Sequence, residues 1–222
     1  MSALIYVLCY DDTSEARAVL TFAGFSWAKP LRIRTTRLFE AIVFVELAEE
    51  LAVQDAWHTH EYIGFLSHKA FDKFPTLRHM VPRAIDALTR DPTPDAFSFA
   101  AHHTAMRHGD PYSGHHPQLR PVWESTLTQS FPPLAQPFRT WFCNYWCARP
   151  SLVLEYSRWL RDAFLPVLLA DARVAEDAHW SPPTQVMHAA GLLFYDHVPF
   201  IAERVVGAWF ENVRRANVRF EL

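Results

Sequence analysis

The run Leu4 to Cys9 (Leu-Ile-Tyr-Val-Leu-Cys) is apolar without interruption and closes on Tyr10-Asp11-Asp12. A strand with one face in water alternates apolar and polar residues, so a run with no polar member demands burial on both faces. Such strands belong to sheets covered by helices on each side, and ligands bind such sheets at the loops that follow the strands. The next residues supply a covering helix. Asp12 is placed to cap it, Glu15 follows three residues later as in a capping box, and Ala16, Leu20 and Ala23 recur near helical spacing until Gly24.

The unit then repeats. Leu31 to Thr35 alternates after Pro30 and suits a second short strand, while Leu38 to Leu51, with Glu40, Glu46, Glu49 and Glu50 and no Gly or Pro, favours a helix over its β-branched residues. Tyr62 to Leu66 reads as a third strand, with Ser67 placed to cap a helix that begins at His68-Lys69. Phe97 to Ala101 is a fourth, entered from the turn Asp91-Pro92-Thr93-Pro94-Asp95. His102 to Pro121 is polar and aperiodic, the pattern of a long surface loop.

The second half is richer in helix. Leu152, Tyr156, Trp159, Leu160, Ala163, Phe164 and Val167 form one apolar stripe, capped by Ser151 and disturbed late by Pro166. Leu192 to Tyr195 suggests a short late strand, and Phe200 to Arg215 a closing helix. The expectation is an α/β fold: one domain over residues 1–222, a mainly parallel sheet flanked by helices, and a helix-rich C-terminal half.

Composition narrows the functional classes. Lys and Arg number 21 against 24 Asp and Glu, an acidic balance that argues against a nucleic-acid partner. The longest apolar runs, Ala3 to Tyr10 and Ala189 to Tyr195, fall far short of the roughly 18–20 residues of a membrane span. No basic region precedes the first run, so it reads as a strand rather than a signal peptide, and a cytoplasmic location is expected. Cys9, Cys143 and Cys147 are an odd set, expected as buried thiols. Eight Trp and 17 Phe imply an aromatic core, part of which could line a sugar or base pocket.

The loops after the expected strands are Tyr10-Asp11-Asp12, Thr35-Thr36 and Ser67-His68-Lys69. The third combines a helix N-terminus with the charge of Lys69, a combination suited to a diphosphate. No Walker loop, Gly-x-Gly-x-x-Gly or Gly-x-Ser-x-Gly occurs. His102, His103, His108, His115 and His116 cluster without the spacing of a His-Glu-x-x-His zinc site, leaving a polar loop or a substrate-facing loop as the plainer readings.

Taken together, Ile5 to Asp12, Ile33-Arg34-Thr35-Thr36 and Tyr62 to Lys69 resemble small GT-A-like glycosyltransferases of large algal viruses and of bacterial polysaccharide gene clusters. The segments Phe142-Cys143-Asn144-Tyr145-Trp146 and His197-Val198-Pro199-Phe200-Ile201-Ala202-Glu203-Arg204 are similar to the family's "N-Y-W" and "H-P-F-x-x-E-R". The resemblance implies that residues 1–101 hold a nucleotide-sugar donor and residues 102–222 a glycan or other hydroxyl acceptor. Tyr10, Asp11 and Thr35 would line the nucleoside pocket, with Ser67, His68 and Lys69 near ribose or diphosphate.

Such enzymes usually carry Asp-x-Asp to hold Mn²⁺ or Mg²⁺, and this chain has none; Asp95, with Asp91 four residues before it, is the nearest surrogate. Without the motif, Lys69, Arg204 or a histidine of 102–116 would have to meet the leaving group. Asp177 and Glu203 are the candidate proton acceptors, with Glu176 and Asp196 behind them. Two alternatives stay open: a non-catalytic nucleotide- or glycan-binding module of the same fold, and a metal-dependent hydrolase built on the histidine cluster.

Overall fold

The computed structural model describes residues 3–99, 117–131, 141, 143–177 and 183–219. The chain opens with β1 (Ala3–Cys9), α1 (Asp12–Phe22) and β2 (Ala28–Arg32). A helical stretch of mixed pitch, ending in α2 (Ala48–Ala52), then leads through α3 (Asp55–Thr59) to β3 (Tyr62–Ser67). After α4 (Ala70–Lys73) and α5 (Leu77–Arg90) comes β4 (Ala96–Ser98), and α6 (Arg120–Ser130) precedes β5 (Trp146–Ala148). The remainder is α7 (Pro150–Trp159), α8 (Leu165–Ala170), α9 (Gln185–Ala189), α10 (Val198–Ala208) and β6 (Val218–Arg219).

Both halves of the chain build one six-stranded sheet in the order β2-β1-β3-β5-β4-β6. β1 pairs in parallel with β2 and β3, and β4 with β6, whereas β5 runs against both β3 and β4. The sheet is therefore mixed, with one reversed strand, rather than simply parallel. This reversal matters for the site, because the residues that precede β5 reach the edge where β1 and β3 end.

β1 shows why the apolar run had to be buried. Leu4, Tyr6 and Leu8 enter one core, with Phe65, Trp146, Tyr156 and Phe210, and Ile5, Val7 and Cys9 enter the other, with Phe22, Leu66, Tyr145 and Cys147. Gly64 lies between these layers in β3. A Cβ there would come within 2.6 Å of both Cys147 Cβ and Ile5 Cδ1, so the close approach of three strands requires glycine.

Several local expectations are corrected. β2 ends at Arg32, so Ile33 to Thr35 form the loop that follows it. Ser67 is the last residue of β3 and caps no helix: α4 starts at Ala70, has four residues and ends before Pro75, which lacks an N–H. Pro117–Leu119 and the start of α6 replace the end of the expected loop, while its histidines, with Ala100 and Ala101, lie outside the described residues. Arg149 rather than Ser151 occupies the N-cap of α7, with Pro150 just inside the helix. The stripe from Leu152 continues through a π-helical turn, Leu160–Phe164, directly ahead of Pro166, where the α-helical ladder lacks a donor. Leu192 to Tyr195 is not a strand, and Leu193 is exposed. The closing helix begins at Val198 and turns π-helical over Trp209–Val213. Among the described residues, no helix is long and apolar enough to cross a membrane.

Candidate functional site

A cavity of about 430 Å³ opens where β1 and β3 end, bounded by the loop after β2, the turn before β5 and the start of α10. Tyr10, Asp11, Thr35, Ser67, His68, Lys69 and Glu203 all line it, so the three post-strand loops and one candidate carboxylate converge on a single space. Arg17, Phe39, Glu40, Lys73, Asn144, Tyr195 and Phe200 also border it.

Two of these side chains are already engaged. The Asp11 carboxylate accepts from Ser14 N at 2.7 Å and Ser14 Oγ accepts from Asp11 N at 2.9 Å, a capping box that closes the N-terminus of α1. The Ser14 bonds hold the Asp11 carboxyl below the ordinary value. Ser67 is buried, its hydroxyl 2.7 Å from the Tyr145 hydroxyl, and it accepts weakly from Lys69 N at 3.3 Å. The four-residue α4 therefore offers no developed helix N-terminus at the cavity. Arg17 is held by Asp72 at 2.5 Å, whereas Lys69 makes no ion pair among the described residues.

Around Glu203 and Tyr10 the cavity carries a charge cluster whose other members, Glu40 and Lys73, sequence reading missed. Burial raises the Glu40 carboxyl, with Glu203 adding to the effect and Lys73 opposing it. Burial also raises the Tyr10 phenol, and the neighbouring Glu40 adds to the effect. Lys73 loses some affinity for its proton through burial, but the negative neighbours outweigh this and hold it above the ordinary lysine value. Cys143 is a neutral thiol at physiological pH, pushed up first by burial and then by Glu203, so Glu40 and Glu203 are the groups that balance Lys73.

The backbone is strained at the same place. Phe39, Cys143 and Asn144 have φ of 46°, 58° and 53°, and the fourth non-glycine residue with positive φ among the described residues, Arg215, lies elsewhere. Such conformations are disfavoured for residues with a Cβ and persist where the surroundings enforce them. Here Glu203 Oε1 accepts from Cys143 N at 2.6 Å, which fixes the turn before β5. The adjoining Asn144 is 3% exposed, and its Oδ1 has no partner among the described residues. On the opposite wall Phe39 and Tyr195 stack at 5.6 Å and 13°, with Phe200 beside Tyr195.

Other candidates fall outside the cavity. Asp177 is exposed and does not line it, and Glu176 is likewise exposed. Asp196 is paired with Arg37 at 2.9 Å and accepts from Val198 N. Arg204 is buried and donates to the Phe200 carbonyl at 2.9 Å. Asp95 precedes β4, at the opposite end of the sheet from the cavity, and accepts from Asn217 N; Asp91 pairs with Arg219. Among the described residues no three His, Cys, Asp or Glu side chains converge to hold a metal, and Asp91 and Asp95 do not fit that task.

The signals for the missed residues were weak in the sequence. Glu40 lies inside a stretch that looks like ordinary amphipathic helix, and Asn144 reaches the cavity only because β5 is reversed. Comparison with protein-family models, with curated proteins and with solved structures gives no match, so the cavity's own geometry carries the functional reading.

Proposed function

We propose that this protein is a glycosyltransferase that moves a sugar from a nucleotide-sugar donor to a hydroxyl acceptor. The observation that carries the reading is the convergence of Tyr10, Thr35, His68, Lys69 and Glu203 in one cavity at the ends of parallel strands. The mixed α/β sheet is compatible with the GT-A-like architecture that the resemblance implies.

The cavity supplies parts that this chemistry needs. Stacked aromatics beside hydrogen-bonding groups suit a base or a sugar ring. During transfer the acceptor oxygen bonds to the anomeric carbon while the bond to the diphosphate breaks and its electron pair leaves with the phosphate. Lys69 is the cation suited to meet that charge, since it borders the cavity and makes no ion pair among the described residues. The acceptor proton goes to a carboxylate, for which Glu203 and Glu40 take the place of Asp177.

A second reading, a binding module without turnover, is favoured by the lack of a convergent metal-ligand set among the described residues. Thermal-shift screening with UDP, GDP, CDP, TDP and their common sugars, each with and without Mn²⁺, tests both. A ligand at 100 times its Kd adds about 2.7 kcal/mol to the native state. A shift confined to one base, with slow release of free sugar, is expected of the transferase. A shift without sugar release selects the binding module, and no shift with any nucleotide rejects both the transferase and a nucleotide-binding module.

A further inference from the structure

The cavity contains a histidine whose protonation pattern the backbone dictates. His68 is 7% exposed, and its Nδ1 lies 3.2 Å from the Leu8 carbonyl oxygen. A carbonyl can only accept, so Nδ1 carries the proton and the lone pair of the neutral ring sits on Nε2. Burial, the largest influence, lowers the affinity of the ring for a second proton, and Lys69 and Arg17 add to this against the opposing Leu8 bond and Asp11. The edge-on ring of Tyr10, centred 6.0 Å away, packs beside the imidazole. Nε2 has no protein partner among the described residues, and His68 borders the cavity.

We propose that His68 is a specificity-determining residue whose Nε2 accepts a hydrogen bond from a carbohydrate hydroxyl of the bound ligand. The next residue, Lys69, provides a cation for an anionic group close to that hydroxyl. A hydroxylated ring beside a phosphate is the chemistry that both groups recognise together. In a nucleotide sugar that ring is the ribose or the transferred sugar, one on each side of the diphosphate. This inference rests on the nucleotide-sugar reading above. It adds that the histidine acts as an acceptor rather than as a positive charge.

His68→Phe is a clean test, because the Leu8 carbonyl also accepts from His68 N at 3.1 Å and keeps a donor when the imidazole is lost. The full chain and this variant are titrated with the nucleoside diphosphate that gives the largest thermal shift, its 2′-deoxy and 3′-deoxy analogues, and the matching nucleotide sugar. If ribose is read, the wild type prefers the ribonucleotide to one deoxy analogue by about fivefold or more, and the variant binds both equally. If the transferred sugar is read, the variant instead loses the preference for the nucleotide sugar over the free diphosphate.

A variant that binds every ligand as the wild type does, or weakens all by one factor, overturns the assignment and leaves nucleotide binding intact. A wild type that binds no nucleotide overturns the reading of function, and this assignment with it. Nitrogen-15 NMR of the histidine rings supplies an independent arm: a neutral Nδ1–H tautomer for His68 at pH 7 is expected, and an Nε2–H tautomer overturns the proposal whatever the ligand.

Discussion

The main-chain N–H of Cys143 donates to Glu203 Oε1 across 2.6 Å, joining residues 60 positions apart. The bond ties the turn before the reversed strand β5 to the second turn of α10, and it holds two consecutive left-handed residues at the cavity wall. Removing the acceptor in Glu203→Ala should lower stability by about 1.5–3 kcal/mol, the usual range for a hydrogen bond to a charged group. Glu203→Gln keeps an acceptor oxygen and should lose less. Urea unfolding of both variants checks this, and equal losses would show that the carboxylate is not what holds the turn.

Gly64 tests the close packing of the central strands. Gly64→Ala places a methyl 2.6 Å from side-chain carbons of both neighbouring strands and 2.8 Å from the Trp146 carbonyl. Overpacking of this kind destabilises by about 1–3 kcal/mol. At Gly24, by contrast, an added Cβ meets nothing within 4 Å, so Gly24→Ala should change stability by no more than about 0.5 kcal/mol. Thermal midpoints measured side by side decide whether the contrast exists.

Lys69 has no ion-pair partner among the described residues, so its loss should leave the fold almost unchanged. Lys69→Ala is expected to weaken nucleoside-diphosphate binding more than tenfold, about 1.4 kcal/mol, with the thermal midpoint of the ligand-free protein preserved. Calorimetric titration that returns the wild-type Kd would remove Lys69 from the site.

Glu40 should make stability depend on pH. Burial, the dominant influence, raises its carboxyl above the ordinary value of 4.5, so the native state holds this proton more tightly than the unfolded chain does. Over the interval between 4.5 and the raised native value the unfolded state binds fewer protons, and stability therefore falls as pH rises. Below 4.5 both states are protonated and the penalty is absent. Glu40→Gln should thus gain on the wild type as pH climbs through that window, as read by denaturant unfolding at a series of pH values. A difference between the two that stays flat with pH would show that Glu40 is not the group responsible.

The residues that the sequence grouped and the structure brings to one cavity share one physical property: their position follows from local pattern. A strand buried on both faces has to be apolar along its length, so β1 and β3 were legible. The direction of a parallel strand then puts the following loop at one edge of the sheet, which is why Tyr10, Thr35, His68 and Lys69 border the same cavity. Ser67 shows the limit of such reasoning. Its position suggested a helix cap, but its hydroxyl faces Tyr145, a partner 78 positions away.

From the sequence alone came the α/β class, the apolar strands and the loops that border the cavity, because hydrophobic period and polar punctuation act over a few residues. Tertiary structure decided the reversal of β5, the glycine-only contact at Gly64, the left-handed pair Cys143-Asn144 and the grouping of Glu40, Lys73 and Glu203. Each of these depends on pairing between distant segments, and the energy of such a pairing is set by which surfaces meet. No local residue pattern encodes that choice, so Asp177 and Glu203 looked alike until folding carried one into the cavity and left the other on the surface.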